Sequence, residues 1–181
     1  QLTQLDLDGV QLDENAWEGI RDLDTMRWIY LNSSSITDAG LQHLDGLTNL
    51  ESLRLNDTYV TNEGLKHVAG LINLRELQLV DGLVNSEGLK HVEGLQQLRM
   101  LSLRRTAVTD TGLASIGKLE SLEILDLRDT WIDGTGLGSL ANLGKLQVLD
   151  LHATDVTDAG VARLASLHQL KTLDLGDTQI S

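Results

Sequence analysis

Three aspartates that recur at a constant spacing are the residues of this sequence with the clearest chemical potential. Asp126, Asp150 and Asp174 are each 24 residues apart. If that spacing sets them side by side in a sheet, their like charges repel one another and need compensation. The compensation can come from a lattice of ion pairs, from a basic segment of a partner, or from a divalent cation bound by carboxylate oxygens. The spacing does not match a recognised calcium loop, which argues against the cation.

Basic side chains follow the same spacing and are the internal candidates for that compensation. Those that the repeat brings close to the three aspartates are Arg128, His152 and Lys171. Arg104 lies 24 residues before Arg128, and Arg105 is next to it. Guanidinium groups suit carboxylate or phosphate ligands. The arginines therefore either neutralise neighbouring aspartates or form a site for a small anionic ligand, and the sequence leaves both open.

Other reactive side chains do not form a recognisable site. His43, His67 and His91 recur every 24 residues, but the sequence shows no carboxylate partner for them and indicates no metal site. The glycine-rich run at 134–138 lacks the spacing of a dinucleotide-binding loop. Serine, histidine and aspartate are scattered, with no nucleophile elbow and no base held by a third group. We therefore predict no enzymatic activity, no cofactor and no metal.

Composition narrows the choice of partner. The 181 residues include 14 Lys and Arg against 27 Asp and Glu, for a formal net charge of −13. Such a surface repels a phosphate backbone, so we expect no binding to nucleic acid or to an anionic membrane. Cysteine is absent, which excludes disulfides, thiolate zinc sites and a cysteine nucleophile.

Membrane segments and targeting signals are not evident. No apolar run approaches the roughly 20 residues that a membrane helix needs. The chain begins at Gln1 and has no charged and then apolar leader. These features slightly favour the cytoplasm as an expectation.

An internal repeat of 24 residues organises the whole chain. Its units begin at Leu2, Met26, Leu50, Leu74, Leu98, Leu122, Leu146 and Leu170. The pattern within a unit is L-x-x-L-x-L-x-x-T-x-V-T-D-x-G-L-x-x-L-x-x-L-x-x. The eighth unit is partial, so we expect a piece of a longer repeat protein, whose uncapped ends could also associate with one another.

Each unit combines one strand and one helix. Leu53 and Leu55 alternate with period two, as in a strand with one buried face. The spacing of Val60, Leu65 and Val68 is that of a helix stripe. Polar residues before this stripe predict helix N-caps, with two candidates in each unit: Thr61 or Asn62, Thr37 or Asp38, Thr109 or Asp110, and Thr157 or Asp158. Residues at the helix end predict left-handed C-caps, at Gly46, Gly70, Gly94 and Asn142.

These features resemble the leucine-rich repeat family. The phrases Ile36–Leu41 and Val156–Val161 are similar to its cysteine-containing subclass and the bacterial relatives of that subclass. The resemblance implies an α/β leucine-rich repeat solenoid, a curved horseshoe with a parallel sheet on its concave face and short helices on its convex face. It covers residues 1–181 as one leucine-rich repeat domain. The ninth position carries Thr58, Thr106 and Thr130, where relatives have Asn or Cys, and we expect these hydroxyls to bond the backbone of the neighbouring unit.

Aromatic residues are the first candidates for recognition on that scaffold. Trp17 falls on a core position, whereas Trp28 and Tyr30 point from one strand into the concavity. Tyr59 and Trp131 fall on the rim. Exposed Trp and Tyr are enriched in binding hot spots. They also pack well on any pleated surface, so simple packing remains an alternative.

An apolar strip is the second candidate. Met100, Ile124 and Val148 occupy the third position of consecutive units, and we expect them to be neighbours on the concave face, with Trp131 nearby. Exposed apolar patches mark interfaces. We therefore predict recognition of a protein or peptide on the concave face, with Arg104, Arg128, Asp126 and Asp150 setting its register. A structural spacer or self-assembling array, and a sensor for a small anionic ligand, are the alternatives.

Overall fold

The computed structural model describes residues 2–20 and 23–181. Within them, eight strands of three residues form one parallel sheet in sequence order. The strands are β1 (Gln4–Asp6), β2 (Trp28–Tyr30), β3 (Ser52–Arg54), β4 (Glu76–Gln78), β5 (Met100–Ser102), β6 (Ile124–Asp126), β7 (Val148–Asp150) and β8 (Thr172–Asp174). The fold is the α/β leucine-rich repeat solenoid that the resemblance implies, curved, with this sheet on the inner side.

The sheet register follows the sequence repeat. Leu53 is paired with Ile29 on one side and with Leu77 on the other, a step of 24 residues in each direction. The middle residue of each inner strand is buried, and the flanking residues at the third and fifth repeat positions face the concavity. The strand prediction is confirmed.

The convex segments are shorter and less regular than one helix per unit. They are short segments of α or 3-10 helix: Glu14–Ile20, Asp38–Leu41 with Gln42–Leu44, Leu65–Val68, Gly88–Val92, Asp110–Gly112 with Leu113–Ile116, Leu137–Asn142, and Asp158–Val161 with Ala162–Leu164. None of the helices in the described part of the chain has the length and hydrophobicity to cross a membrane.

Leucine side chains from every unit fill one continuous core between the sheet and the convex segments. Trp17 is 2% exposed and closes the core near the first unit, so its assignment to the core is confirmed. Leu5 and Leu173, in the first and last strands, are only partly buried, because each has a neighbouring unit on one side alone.

A left-handed turn follows every strand. Residues at the eighth repeat position have φ between 52° and 55° from the second unit onward: Ser33, Asp57, Asp81, Arg105, Asp129, Ala153 and Asp177. The sequence predicted a left-handed residue at four helix ends, and the structure has it at one of them. Gly46 adopts it, with φ of +89°, but Gly70, Gly94 and Asn142 do not. The units therefore reverse direction after the strand rather than through a helix C-cap.

The predicted helix caps are wrong, because their polar side chains serve the neighbouring unit instead. Thr37, Thr109 and Thr157 make no capping hydrogen bond from their side chains. Asp38 instead accepts hydrogen bonds from the backbone N–H of Thr61 at 2.7 Å and from its hydroxyl at 2.6 Å. This contact joins one unit to the next.

The same ladder continues along the convex side. Asn62 accepts the N–H of Asn85 at 3.0 Å, and Asp110 accepts that of Asp133 at 2.8 Å. The ladder also explains the glycine that opens each helical turn: a Cβ at Gly64 would lie 2.4 Å from Asp38 Oδ1. The side chain at the thirteenth repeat position therefore needs the space that glycine leaves.

The threonines of the ninth position bond within their own unit, so the expected ladder between units is wrong there. The hydroxyl of Thr58 donates to the carbonyl of Leu55 at 2.8 Å, and that of Thr106 to Leu103 at 2.6 Å. A hydroxyl on a short side chain reaches the carbonyl three residues earlier in a tight turn. These threonines therefore do not take the role that asparagine has in relatives.

Candidate binding surface

The apolar strip forms on the concave face as the spacing predicts. Sheet pairing sets Met100 beside Ile124, and Ile124 beside Val148. Ile124 is 40% exposed, and its two neighbours are partly exposed. The strip is therefore an accessible row of three apolar side chains on strands β5, β6 and β7.

Trp131 does not join this strip, contrary to the expectation from the sequence. It follows the left-handed turn at Asp129 and is 70% exposed on the rim. The two depressions beside it are bordered by Leu83 and Ala107 and by polar rim residues, and no residue of the strip lines either of them. The turn carries the chain out of the concavity before Trp131 is reached.

The aspartate row is compensated internally at its first member. Asp126 is paired in the sheet with Asp150, which is paired with Asp174. The guanidinium of Arg128 donates from Nε and Nη2 to the two carboxylate oxygens of Asp126, each at 2.9 Å. Ser102 adds a hydroxyl hydrogen bond to Asp126 at 3.0 Å. The lattice of ion pairs is thus present around Asp126.

The other basic residues contribute less than the sequence suggests. His152 lies 3.4 Å from Asp177 and 3.9 Å from Asp174. Lys171 does not contact the aspartates, because its ammonium group donates to the side-chain oxygen of Gln147 at 2.8 Å. Within residues 2–20 and 23–181, no group of three or more metal-ligating side chains is positioned to hold an ion.

The pKa values of two neighbouring aspartates shift in opposite directions. Burial alone would raise the pKa of Asp126, but the side-chain and backbone hydrogen bonds from Arg128 and the hydroxyl of Ser102 outweigh it and lower the pKa. Burial raises the pKa of Asp150 and outweighs the backbone N–H of His152 and the charge of Arg128, 3.2 Å away, which lower it; the charges of Asp126 and Asp174 add smaller upward contributions. Burial partly opposes the Asp126 hydrogen bond that raises the pKa of Arg128.

The aspartates also have a backbone role that the sequence did not suggest. Asp126, Asp150 and Asp174 each accept the N–H of the residue two positions later, at 3.2, 3.1 and 2.9 Å. Aspartate commonly makes this contact where a chain leaves a strand for a turn. The signal was the Asp-Leu-x phrase before the left-handed turn in each of these three units.

Arg104 and Arg105 are less firmly paired than Arg128. Arg104 has its closest carboxylate oxygen in Asp129 at 3.6 Å, and its buried Nε has no hydrogen-bond partner. Arg105 lies between Asp81 at 3.6 Å and Asp129 at 3.5 Å. These distances exceed those of direct hydrogen bonds, so the two cations are neutralised only loosely.

A second pair of arginines was not among the predicted site residues. Arg75 and Arg99 occupy the second repeat position of adjacent units, and the N–H of Arg99 donates to the carbonyl of Arg75 at 2.9 Å. Their nearest carboxylates are Glu51 and Glu123, each 3.7 Å away. The recurrence at 24 residues was the available signal, and it placed two cations beside one another at the edge of the concave face.

On the N-terminal half of the concave face, side chains of neighbouring strands interact with one another. Trp28 and Tyr30 do lie on β2 and face the concavity. The guanidinium of Arg54 stacks 4.4 Å from the centre of the Tyr30 ring, and its Nε donates to Glu76 at 2.9 Å. Ser52 also donates to Glu76, at 3.0 Å. Tyr30 is therefore covered on one face by a network that spans three strands, whereas Tyr59 stands exposed on the rim.

The recurring histidines have individual environments. His43 is buried. Nδ1 of His67 lies 3.1 Å from Asp45, so the expectation that these histidines lack a carboxylate partner is wrong for His67. The partner comes from the preceding unit, which the linear sequence does not display.

A family model described as a leucine-rich repeat region matches residues 73–181. The chain belongs to the leucine-rich repeat family. Proteins of this family commonly serve as scaffolds for protein–protein interaction and are in general not enzymes. The match does not separate the subclasses, so membership of the cysteine-containing subclass stays a prediction. No curated protein matches the sequence.

Solved structures share the leucine-rich repeat fold. Internalin C2 of Listeria monocytogenes has a TM-score of 0.73 and 23% identity over 99% of this chain and 80% of its own. A second Listeria internalin, inlF, has a TM-score of 0.69 and 24% identity over 99% of this chain and 62% of its own.

A plant relative is more distant. The ectodomain of the receptor kinase GASSHO1/SCHENGEN3 of Arabidopsis thaliana, solved with CASPARIAN STRIP INTEGRITY FACTOR 2, has a TM-score of 0.61 and 20% identity. The alignment covers 99% of this chain and 27% of the ectodomain chain. At these identities the likeness concerns the fold.

Proposed function

We propose that this leucine-rich repeat protein is a non-enzymatic recognition module that binds a protein or peptide on its concave face. The observation that carries the proposal is the apolar strip, with Ile124 40% exposed between Met100 and Val148 on a rigid sheet. An accessible apolar row flanked by charges is typical of an interface rather than of a free surface.

The surroundings of the strip supply polar contacts for the same partner. Arg104 and Arg128 lie on one side of the strip, and Asp126 and Asp150 lie between the strip and these arginines. Charged groups around an apolar centre set register and specificity more than affinity. Trp28 forms a second, smaller anchor near the N-terminal end of the sheet.

The internal ion pairs weigh against a sensor of small anions. Arg128 is shared by Asp126 and Asp150, and Arg105 lies between two aspartates. A small anion would have to displace these carboxylates. A protein surface does not, because it can contact the strip and the outer charges together.

The test uses two single variants that introduce the same charge inside and outside the apolar strip. Ile124→Glu places a carboxylate in the strip, whereas Ile72→Glu places one at an exposed residue outside the strands. Immobilised wild type, Ile124→Glu and Ile72→Glu are used as baits, and the captured proteins are compared by quantitative mass spectrometry. Circular dichroism confirms that all three are folded.

The expected result is a protein held by the wild type and by Ile72→Glu and lost from Ile124→Glu. The same protein is then purified and its affinity measured by calorimetry. Equal capture by all three baits would rule out the concave strip as the binding surface. A large fall in melting temperature for Ile124→Glu would mean that the strip belongs to the core.

A further inference from the structure

The rim of the solenoid carries a second apolar surface, separate from the apolar strip. The tenth repeat position holds apolar or aromatic residues in four consecutive units: Tyr59, Leu83, Ala107 and Trp131. Tyr59 is 65% exposed, Leu83 59% and Trp131 70%, the three highest values among the large hydrophobic residues of the described chain. The other four units have polar residues at this position: Gln11, Ser35, Asp155 and Gln179. The repeat itself therefore does not require an apolar side chain there.

The apolar side chains of this position do not serve the core. The next residue of the chain is fully buried in each of the last three of these units: Val84, Val108 and Ile132. Because neighbouring residues of an extended segment point to opposite sides, the tenth position faces away from the core. Its apolar surface is thus free for a contact outside the chain.

Leu83, Ala107 and Trp131 line one open depression, which we call the rim notch. Ala107 contributes only a methyl group, so it leaves space between the two large side chains. The backbone of the notch is held by neighbouring units: the N–H of Trp131 donates to the carbonyl of Val108 at 2.9 Å, and Ala107 forms a parallel bridge with Asn85. A preformed site loses little entropy on binding. The rim notch therefore suits an apolar side chain of a partner.

Carboxylates lie at the Trp131 end of this surface. Asp133 follows Trp131 by two residues. The N–H of Asp155 donates to the carbonyl of Ile132 at 2.9 Å, which places the backbone of Asp155 beside that of Trp131. Both aspartates are exposed, and neither forms an ion pair within residues 2–20 and 23–181. This end of the rim therefore carries negative charge that the chain does not neutralise by direct pairing.

The cation that borders the rim notch does not cancel this charge. Arg105 lies between Asp81 at 3.6 Å and Asp129 at 3.5 Å, so two other carboxylates are already close to its guanidinium. The rim thus favours a basic partner. A second copy of the chain would bring the same carboxylates and a formal net charge of −13, and nucleic acid would bring its phosphates. Both are repelled.

We propose that the rim notch docks a basic segment of a partner protein. One apolar side chain of the segment lies over Ala107, between Leu83 and Trp131. A lysine or arginine beside it faces Asp133 and Asp155. The exposed indole can also attract that cation through its ring face, and tryptophan is enriched in binding hot spots. The contact goes beyond concave-face recognition, because no residue of the apolar strip lines the notch.

The probe is the peptide acetyl-Lys-Lys-Leu-Lys-Lys-amide, titrated to millimolar concentration into the isotope-labelled protein and followed by NMR. The methyl signals of Leu83 and Ala107 and the indole N–H signal of Trp131 report binding at the rim notch. The indole N–H signal of Trp28 reports the concave face in the same spectra. Two matched peptides serve as controls, one with serine in place of leucine and one with glutamate in place of every lysine.

The expected result is a saturable shift of the three rim signals with no change at Trp28. The serine peptide should bind about tenfold more weakly, because it buries no apolar side chain. The glutamate peptide should cause no shift, because its charges repel the rim aspartates.

Three variants test the residues of the notch. Ala107→Phe fills the space between Leu83 and Trp131 and should weaken the lysine peptide about tenfold or more. Asp133→Asn/Asp155→Asn should weaken it about fivefold, because two exposed charge pairs are lost. Glu120→Gln is the control, since Glu120 is exposed and does not line the notch, and it should leave the affinity unchanged. Circular dichroism confirms that all three variants are folded.

Three results would overturn the proposal. Equal affinity of the leucine and serine peptides would show that charge alone attracts the probe and that no side chain enters the notch. No shift of the rim signals at millimolar peptide would exclude a basic segment as the occupant. A shift of the same signals when the protein alone is concentrated would assign the notch to a second copy of the chain. None of these results bears on concave-face recognition, which the bait comparison decides separately.

Discussion

Arg128 and Asp126 form a two-point ion pair, with Nε and Nη2 each 2.9 Å from a carboxylate oxygen. The same guanidinium reaches Asp150 on the next strand at 3.2 Å. One arginine therefore serves two carboxylates, and it serves them unequally. This inequality divides the concave aspartates into one whose ionised form is favoured in the fold and one whose ionised form is disfavoured.

Removing the charge of Asp126 should destabilise the protein at neutral pH. Its lowered pKa means that the ionised form is favoured in the folded state. That stability is present above the unfolded pKa, near 3.9, and is lost as the pH falls through the folded value. Asp126→Asn should cost about 2 kcal/mol at pH 7 in urea denaturation, since charged hydrogen bonds are lost. A cost that stays constant down to pH 2 would contradict the assignment.

The same substitution at Asp150 should act in the opposite direction. Its raised pKa means that ionisation is disfavoured in the folded state, so the wild type gains stability as the pH falls through the folded pKa towards the unfolded value. Asp150→Asn keeps an oxygen for the N–H of His152 and should raise stability at pH 7 by less than about 1 kcal/mol. The gain should vanish below about pH 4. Destabilisation at pH 7 would show that Arg128 dominates at this position.

The contact between Asp38 and Thr61 should be worth more than any cap within the helix. Asp38→Ala leaves the N–H and hydroxyl of Thr61 without their acceptor and should cost about 2 kcal/mol. Thr37→Ala is the matched control, because the Thr37 side chain makes no capping hydrogen bond, and it should change stability by less than about 0.5 kcal/mol. Equal losses for both variants in thermal denaturation would restore the capping role predicted from the sequence.

The repeat spacing predicted the parts of the fold that depend on burial. A step of 24 residues was enough to pair Leu53 with Ile29 and to set Met100, Ile124 and Val148 in a row, because core leucines tolerate only one register. Polar contacts were predicted less well. The bond from Thr61 to Asp38 and the stacking of Arg54 on Tyr30 join side chains of different units. Their partners depend on side-chain direction, which spacing alone does not specify.

The left-handed turns were the largest feature that spacing did not reveal, since eight units fill the position with five residue types. Aspartate, serine, arginine and alanine all adopt it, with glycine in the first unit at φ of +72°. Because the position is enforced by strand pairing and by the turn that follows, residue type there reflects tolerance rather than preference. Position in the repeat, rather than glycine content, is what marks a turn in this chain.

Ala153 is the turn residue where this tolerance can be measured most cleanly. Its φ is 55°, a conformation that costs an L-residue with a Cβ about 1 kcal/mol and glycine almost nothing. Ala153→Gly should therefore raise the free energy of unfolding by about 0.5 kcal/mol, the relief being reduced by the greater entropy of glycine in the unfolded chain. Ala114→Gly is the control: Ala114 is exposed in the helical turn Leu113–Ile116, and the substitution should cost about 1 kcal/mol. Urea denaturation of both variants measures the difference, and a loss of stability in Ala153→Gly comparable to that in Ala114→Gly would show that the turn stores no strain.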